Sequence, residues 1–351
     1  MIEEKSNTLF SWLKEKKRLL IGIGTILLIV FMMYIVDFSR IIKNLYIIGI
    51  FGILIFIFLY TITFLLRSYK LILIFKEFEQ KILFSTSFFS IGTSFVINDS
   101  TPAKVGELAK IAFLKEQEDI KLSVAISGTA IERALNVIIL FSITCFALVY
   151  LYFIDVSEGG TKKLLGLSLQ FYIIIAALFL IALIISLILI YYRNQFFLKI
   201  IRKISPTLAN MILRIMINLK ESLLNFKNHK KDLVIIIIIE VAIWTFESLI
   251  GVMFFYLLGY RLNIFIIILA EIITFFSKIF PLTPGGWGVS ENLGAIFIIL
   301  FYPNLSYFEI LAVFIIGHLF RSVYLLFYGG YSIFRYNFKL KNINDIKSQI
   351  T

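Results

Sequence analysis

Long apolar runs joined by short, mostly basic links dominate the chain. Such runs lie at 19–36, 45–66, 134–154, 164–192, 233–258 and 307–334, and each reaches or approaches the ~20 residues that a helix needs to cross a bilayer. Two further stretches behave differently. The apolar stretch 82–97 runs into Asn98-Asp99-Ser100-Thr101-Pro102, after which a helical pattern resumes over 105–114 with Lys104, Glu107 and Lys110 interspersed. The stretch 264–280 runs into Pro281-Leu282-Thr283-Pro284-Gly285-Gly286-Trp287-Gly288-Val289-Ser290-Glu291 and turns apolar again as far as 302. Neither half of either unit spans a bilayer comfortably, so both are predicted to be broken helices at membrane depth.

Composition supports a chain whose main solvent is lipid. Of 351 residues, 60% are hydrophobic and 16% charged, with a mean hydropathy of +0.95, against about 25% charged in soluble domains. No interval is long and polar enough to fold a soluble catalytic module, so we read 1–351 as one integral membrane domain. The single cysteine, Cys145, excludes a disulfide framework and a thiolate metal cluster. The net charge of +12 reads as cytoplasmic loops rich in Lys and Arg rather than as affinity for nucleic acid.

Charge also orients the chain. Lys5, Lys14, Lys16, Lys17 and Arg18 precede the first run, and Arg335, Lys339, Lys341 and Lys347 follow the last, which places both termini in the cytoplasm of a multi-pass cell-membrane protein. The first run is long and lacks a small-residue cleavage site, so it is expected to be a retained span. The strip Arg67, Lys70, Lys76, Lys81 and the basic region 193–231 are expected on the same side. Within the latter, Ile200, Ile204, Leu208, Met211 and Ile215 recur at helical spacing, predicting an amphipathic cytoplasmic connector over 193–232.

These constraints predict an all-α polytopic membrane protein with about six full spans and two re-entrant hairpins, near 82–115 and near 264–303. Each half, 1–160 and 164–335, then reads span, span, hairpin, span, in opposite orientations. This is the inverted repeat of many transporters. Local sequence echoes it: Thr101-Pro102 is followed by Gly106 and Glu107, and Thr283-Pro284 by Gly288 and Glu291, while Arg133 and Arg321 lie on the next spans.

Broken backbone in a bilayer must face protein or water. Proline at a first helical position with glycines nearby makes a helix N-terminus suited to an anion, which singles out Pro102, Pro284, Gly285 and Gly286. Ionisable groups at membrane depth, each costing at least about 2.5 kcal/mol on insertion scales, are Glu107, Glu132, Arg133, Glu240, Glu247, Glu271, Lys278, Glu291, His318 and Arg321. Adjacent Glu132 and Arg133 point about 100° apart on a helix, so partners on other helices are expected. His318 is read as a packed or hydrogen-bonded side chain. No zinc motif, phosphate-binding loop or nucleophile elbow is present, and neither cofactor nor catalytic residue is expected.

The segment Pro102-Ala103-Lys104-Val105-Gly106-Glu107, the pair Glu132-Arg133, the segment Pro284 to Glu291 and the late Arg321 resemble the lysylphosphatidylglycerol synthase transmembrane-region family, a flippase-like integral membrane domain. The resemblance extends from about residue 10 to 335, and the proline, double-glycine, glycine, glutamate run is its most specific part. In well-known members a cytoplasmic aminoacyl transferase is fused to the domain, which moves the product lipid between leaflets. This sequence stops at Thr351, so no transferase module and no aminoacyl-lipid synthesis are expected. The resemblance implies a lipid translocase with a groove involving Thr101, Pro102, Gly106, Glu107, Glu132, Arg133, Thr283, Pro284, Gly285, Gly286, Gly288, Glu291 and Arg321. It implies anionic or polyprenyl phosphate-linked membrane lipids as cargo, and a glycosyltransferase or lipid-modifying enzyme as partner. The open alternatives are an ion-coupled transporter of a soluble substrate and a membrane subunit of lipid glycosylation.

Overall fold

A computed structural model describes residues 38–101, 105–157, 163–164, 167–192, 206–278, 283–339, 343 and 346. The expected first span at 19–36 and Pro102 lie outside the described residues. Apart from one two-residue antiparallel pairing, Lys163–Leu164 with Leu167–Ser168, the described elements are helical. They are α1 (Phe38–Lys76), α2 (Phe84–Ser100), α3 (Gly106–Glu118), α4 (Leu122–Ser157), α5 (Leu169–Tyr192), α6 (Pro206–Asn228), α7 (Lys230–Leu257), α8 (Ile264–Ser277), α9 (Val289–Phe301) and α10 (Tyr307–Arg335). Among the described residues, four helical stretches are long and apolar enough to cross a membrane: Ser39–Lys76, Leu122–Ile154, Lys230–Leu257 and Tyr307–Arg335. The 24-residue α5 carries no charged residue.

The basic strip after the second apolar run is not a loop. Helix α1 begins at Phe38, bends at Gly49 (φ 58°, ψ −175°) and continues to Lys76, so it takes in both Arg40 and Lys43 of the expected link and Arg67 and Lys70 of the expected cytoplasmic strip. Arg67 and Lys70 are buried. What keeps them there is α7, which runs antiparallel beside α1 and presents one acid for each cation. Lys76 pairs with Asp232 at 2.7 Å, Lys70 with Glu240 at 2.5 Å and Arg67 with Glu247 at 3.2 Å. A charge that would be expelled from an apolar run stays within the helix when its counter-charge sits on the facing one.

The two broken units fold as helix pairs, α2 against α3 and α8 against α9. At 1.5 Å per residue, their 17, 13, 14 and 13 residues make rods of roughly 20–25 Å, shorter than the ~30 Å hydrocarbon core. Helix α2 lies against α1 and α10, while α8 lies against α7 and α4; α3 packs on α4, and α9 on α10.

Small and hydroxylated residues hold α2 to its neighbours. Thr86, Ser87, Ser90, Thr93 and Ser94 are all buried. Ser87 donates to the Ser68 carbonyl at 2.8 Å, and the Thr93 and Ser332 hydroxyls meet at 2.7 Å. Tyr328 donates to the Phe88 carbonyl. Between lipid-embedded helices, such close backbone approach and interhelical hydrogen bonding replace the hydrophobic drive available in water.

Candidate anion-binding cavity

The two interruptions come together in space. On the first hairpin, the Asn98 side-chain oxygen accepts the Gly106 N–H at 2.8 Å, capping α3 from the end of α2. The fit demands glycine, because a methyl group on Gly106 would overlap the Ser94 carbonyl oxygen. On the second hairpin, Pro284 opens a three-residue 3₁₀ turn, and α9 starts only at Val289. Gly285 has φ +61°, and a Cβ there would stand 2.8 Å from the Asp99 carbonyl oxygen, so glycine is required both by backbone conformation and by the approach of the other hairpin.

At each helix start one free N–H is already held by a side chain. The first free N–H of α3 is taken by Asn98, and Gly288 N–H donates to the Glu291 carboxylate at 2.7 Å. Glu291 is 2% exposed, accepts from the Ser290 hydroxyl at 2.8 Å and contacts Nδ1 of His318. The His318 ring stacks on Trp287 with centroids 4.0 Å apart and planes 7° from parallel. Its Nε2 lies 3.5 Å from the Asp99 carboxylate. His318, on α10, thus stands between an acid from each hairpin.

Ion pairs frame the junction. Lys110 is bound to Glu132 at 2.5 Å and to Glu107 at 3.1 Å, and Glu107 also receives Arg133. Lys70 reaches Glu132 at 3.5 Å as well as Glu240. Arg321 holds Glu271 at 3.1 Å. Glu132 and Arg133, about 100° apart on α4, therefore serve different partners, Glu132 reaching Lys110 on α3 and Lys70 on α1, and Arg133 reaching Glu107 on α3.

Between these groups lies a cavity of about 160 Å³ lined by residues of both hairpins and of α1, α4, α7 and α10, among them Arg67, Asp99, Glu107, Arg133, Trp244, Glu247, Glu271, Lys278, Gly285, Gly286, His318 and Arg321. Its walls carry four cations and four carboxylates, and several of their polar atoms are left without a hydrogen-bond partner among the described residues. Arg67 Nε, Arg133 Nε, Arg321 Nε and the Trp244 indole N–H are buried without a hydrogen-bond acceptor among the described residues, and Trp244 is only 6% exposed. Lys278 alone among the cations lining the cavity has no described carboxylate within ion-pair distance. Buried donors without acceptors are costly, and an anionic oxygen group is the chemistry that would satisfy them.

Of the groove residues inferred from sequence, Glu107, Arg133, Gly285, Gly286 and Arg321 line this cavity. Glu132 and Glu291 are buried behind it and position Lys110 and His318. Thr101 bonds back to the Ile97 carbonyl at 2.6 Å, and Thr283 to the Trp287 carbonyl at 2.7 Å, so both shape the turns. Gly106 and Gly288 are helix-start positions, and Pro284 begins the 3₁₀ turn. Lining residues absent from that set are Arg67, Asp99, Trp244, Glu247, Glu271, Lys278 and His318. For Lys278, Glu247, Glu271 and His318 the signal was an ionisable group within an apolar run; for Arg67 it was the match of Arg67 and Lys70 to the acids at 240 and 247.

The family model described as Lysylphosphatidylglycerol synthase TM region matches residues 18–329. No curated protein and no solved structure matches the chain. The match covers most of the sequence, and the chain belongs to that family.

Proposed function

We propose that this member of the lysylphosphatidylglycerol synthase TM region family is a flippase-like lipid translocase. In this reading a phosphate-bearing head group passes through the cavity while its acyl or polyprenyl tails stay in the bilayer. The observation that carries the proposal is the junction of the two hairpins, where four buried arginine or indole N–H groups of lining residues have no hydrogen-bond acceptor among the described residues and Lys278 has no described ion-pair partner. Transferring an isolated charge into hydrocarbon costs on the order of tens of kcal/mol in a Born treatment; fixed cations at the crossing lower that barrier. About 160 Å³ holds a phosphate group but not two acyl chains, which fits a head group inside and tails outside.

An inverted repeat of six spans and two re-entrant hairpins gives the cavity its two-sided access. Packing supports this architecture: exchanging α1, α2, α3 and α4 with α7, α8, α9 and α10 maps the main helix contacts onto one another, α2 on α10 becoming α8 on α4. Both termini are then cytoplasmic, with α6 as connector on that face. A test is head-group transfer of labelled phosphatidylglycerol in liposomes holding the purified protein. Transfer should exceed that of an Arg133→Ala, Arg321→Ala double variant; equal transfer overturns the proposal. Accumulation of a soluble anion inside the vesicles without lipid transfer would favour the soluble-substrate transporter instead.

A further inference from the structure

The frame of ion pairs leaves an uneven remainder at the hairpin junction. Arg67 is matched by Glu247, Lys70 by Glu240, Lys110 by Glu132, Arg133 by Glu107 and Arg321 by Glu271. Lys278, Asp99, Glu291 and His318 remain. One ammonium against two carboxylates is a net charge of −1 as long as the imidazole is neutral, and that charge opposes entry of an anion into a buried space. A proton on His318 brings the remainder to zero.

The histidine is built to take that proton. A neutral imidazole has one N–H and one lone pair, yet both ring nitrogens of His318 face carboxylates, Nδ1 toward Glu291 and Nε2 toward Asp99 at 3.5 Å. Nε2 makes no hydrogen bond at that distance, and only the imidazolium would present an N–H to both carboxylates. Trp287, stacked flat on the ring, adds a π face that attracts a cation. The other charged groups around His318 are the pairs Arg321 with Glu271 and Arg67 with Glu247, each internally neutral, and Lys278 from the end of α8.

We infer that His318 is a proton-binding site and that the cavity takes up a proton and a monoanionic phosphate together. The proton comes from the aqueous side, sits on the imidazole while the anion contacts Lys278, and returns to water when the anion leaves, so the pair adds no net charge. This inference rests on the anion-binding reading above. It goes beyond it in making translocation responsive to a pH gradient, with Asp99 and Glu291 tying the proton to contact between the two hairpins.

The test measures binding of dihexyl phosphate to the detergent-solubilised full chain between pH 6 and 9, because a phosphodiester keeps one negative charge over that range. Affinity should fall with rising pH, by up to about tenfold per unit, and His318→Gln should bind weakly with no slope. Asp99→Asn removes one negative charge without a proton, so at pH 9 it should bind at least about tenfold more tightly than the parent. A parent affinity independent of pH, a slope retained in His318→Gln, or an Asp99→Asn protein no tighter than the parent at pH 9 would each overturn the inference while leaving anion binding intact. Dimethyl phosphate is the tail-free control. If it binds as tightly with the same slope, the lipid reading falls and the proton site stands; if the parent binds neither phosphodiester at any pH, both fall.

Discussion

The two hairpins are built alike and charged differently. In both, two short helices pack as a pair with a glycine at the start of the second, and a side chain caps that helix, Asn98 in one and Glu291 in the other. Around the first, Lys110, Glu132, Glu107, Lys70 and Arg133 form a closed set in which every charge has an opposite neighbour. Around the second, Lys278 lacks a described ion-pair partner, and Glu291 shares its histidine with Asp99 of the first hairpin. The lesson is a division of labour: saturated charge makes a rigid wall, and unsaturated charge makes a binding surface.

The same chemical change should therefore act oppositely on the two sides. Lys110→Met removes the nearest cation of Glu132 and one of the two cations on Glu107, leaving Lys70 at 3.5 Å and Arg133 as their partners, and should cost about 3 kcal/mol, read as lost folded protein or a lowered unfolding midpoint in detergent. Gly285→Ala forces a side chain into a left-handed conformation and against Asp99; a loss of about 1–3 kcal/mol, with transfer activity falling alongside, would mark the hairpin contact as essential. Asn98→Ala removes only the cap of α3 and should cost about 1 kcal/mol. Lys278→Met removes a half-buried cation that has no described ion-pair partner and should leave thermal stability unchanged or raised, while lipid transfer falls at least about tenfold. Destabilisation by Lys278→Met comparable to that of Lys110→Met would erase the distinction between the hairpins.

Much of the helical membrane character was legible from apolar runs, because lipid leaves a chain few alternatives to helices. The interruptions at Asn98–Pro102 and 281–291 were visible for the same reason, since polar and proline-rich stretches within apolar sequence end helices; α2 ends at Ser100 and α8 at Ser277. The burial of Arg67 and Lys70 was not legible, because cations at the end of an apolar run look identical in sequence whether they reach water or a carboxylate on another helix. Their burial depends on Glu247 and Glu240, 180 and 170 residues away. Asp99 looked like part of a polar break, and only the approach of α10 makes it a partner of His318. Glu107, Arg133 and Arg321 could be singled out one by one, but which of them meet is a property of packing.

The seam between α2 and α10 sets a timetable for assembly. Thr93 and Ser332 are 239 residues apart in the chain, and at about 5–20 residues per second the ribosome needs roughly 12–50 s to make the partner after the first hairpin exists. During that interval the hydroxyl-lined face of α2 has no α10 to cover it. Ser90 already donates to the Ser87 carbonyl within its own helix, which lowers the cost of waiting. The first hairpin must then linger in a shielded or shallow position until the last helix arrives, so the order of synthesis decides when the cavity can close.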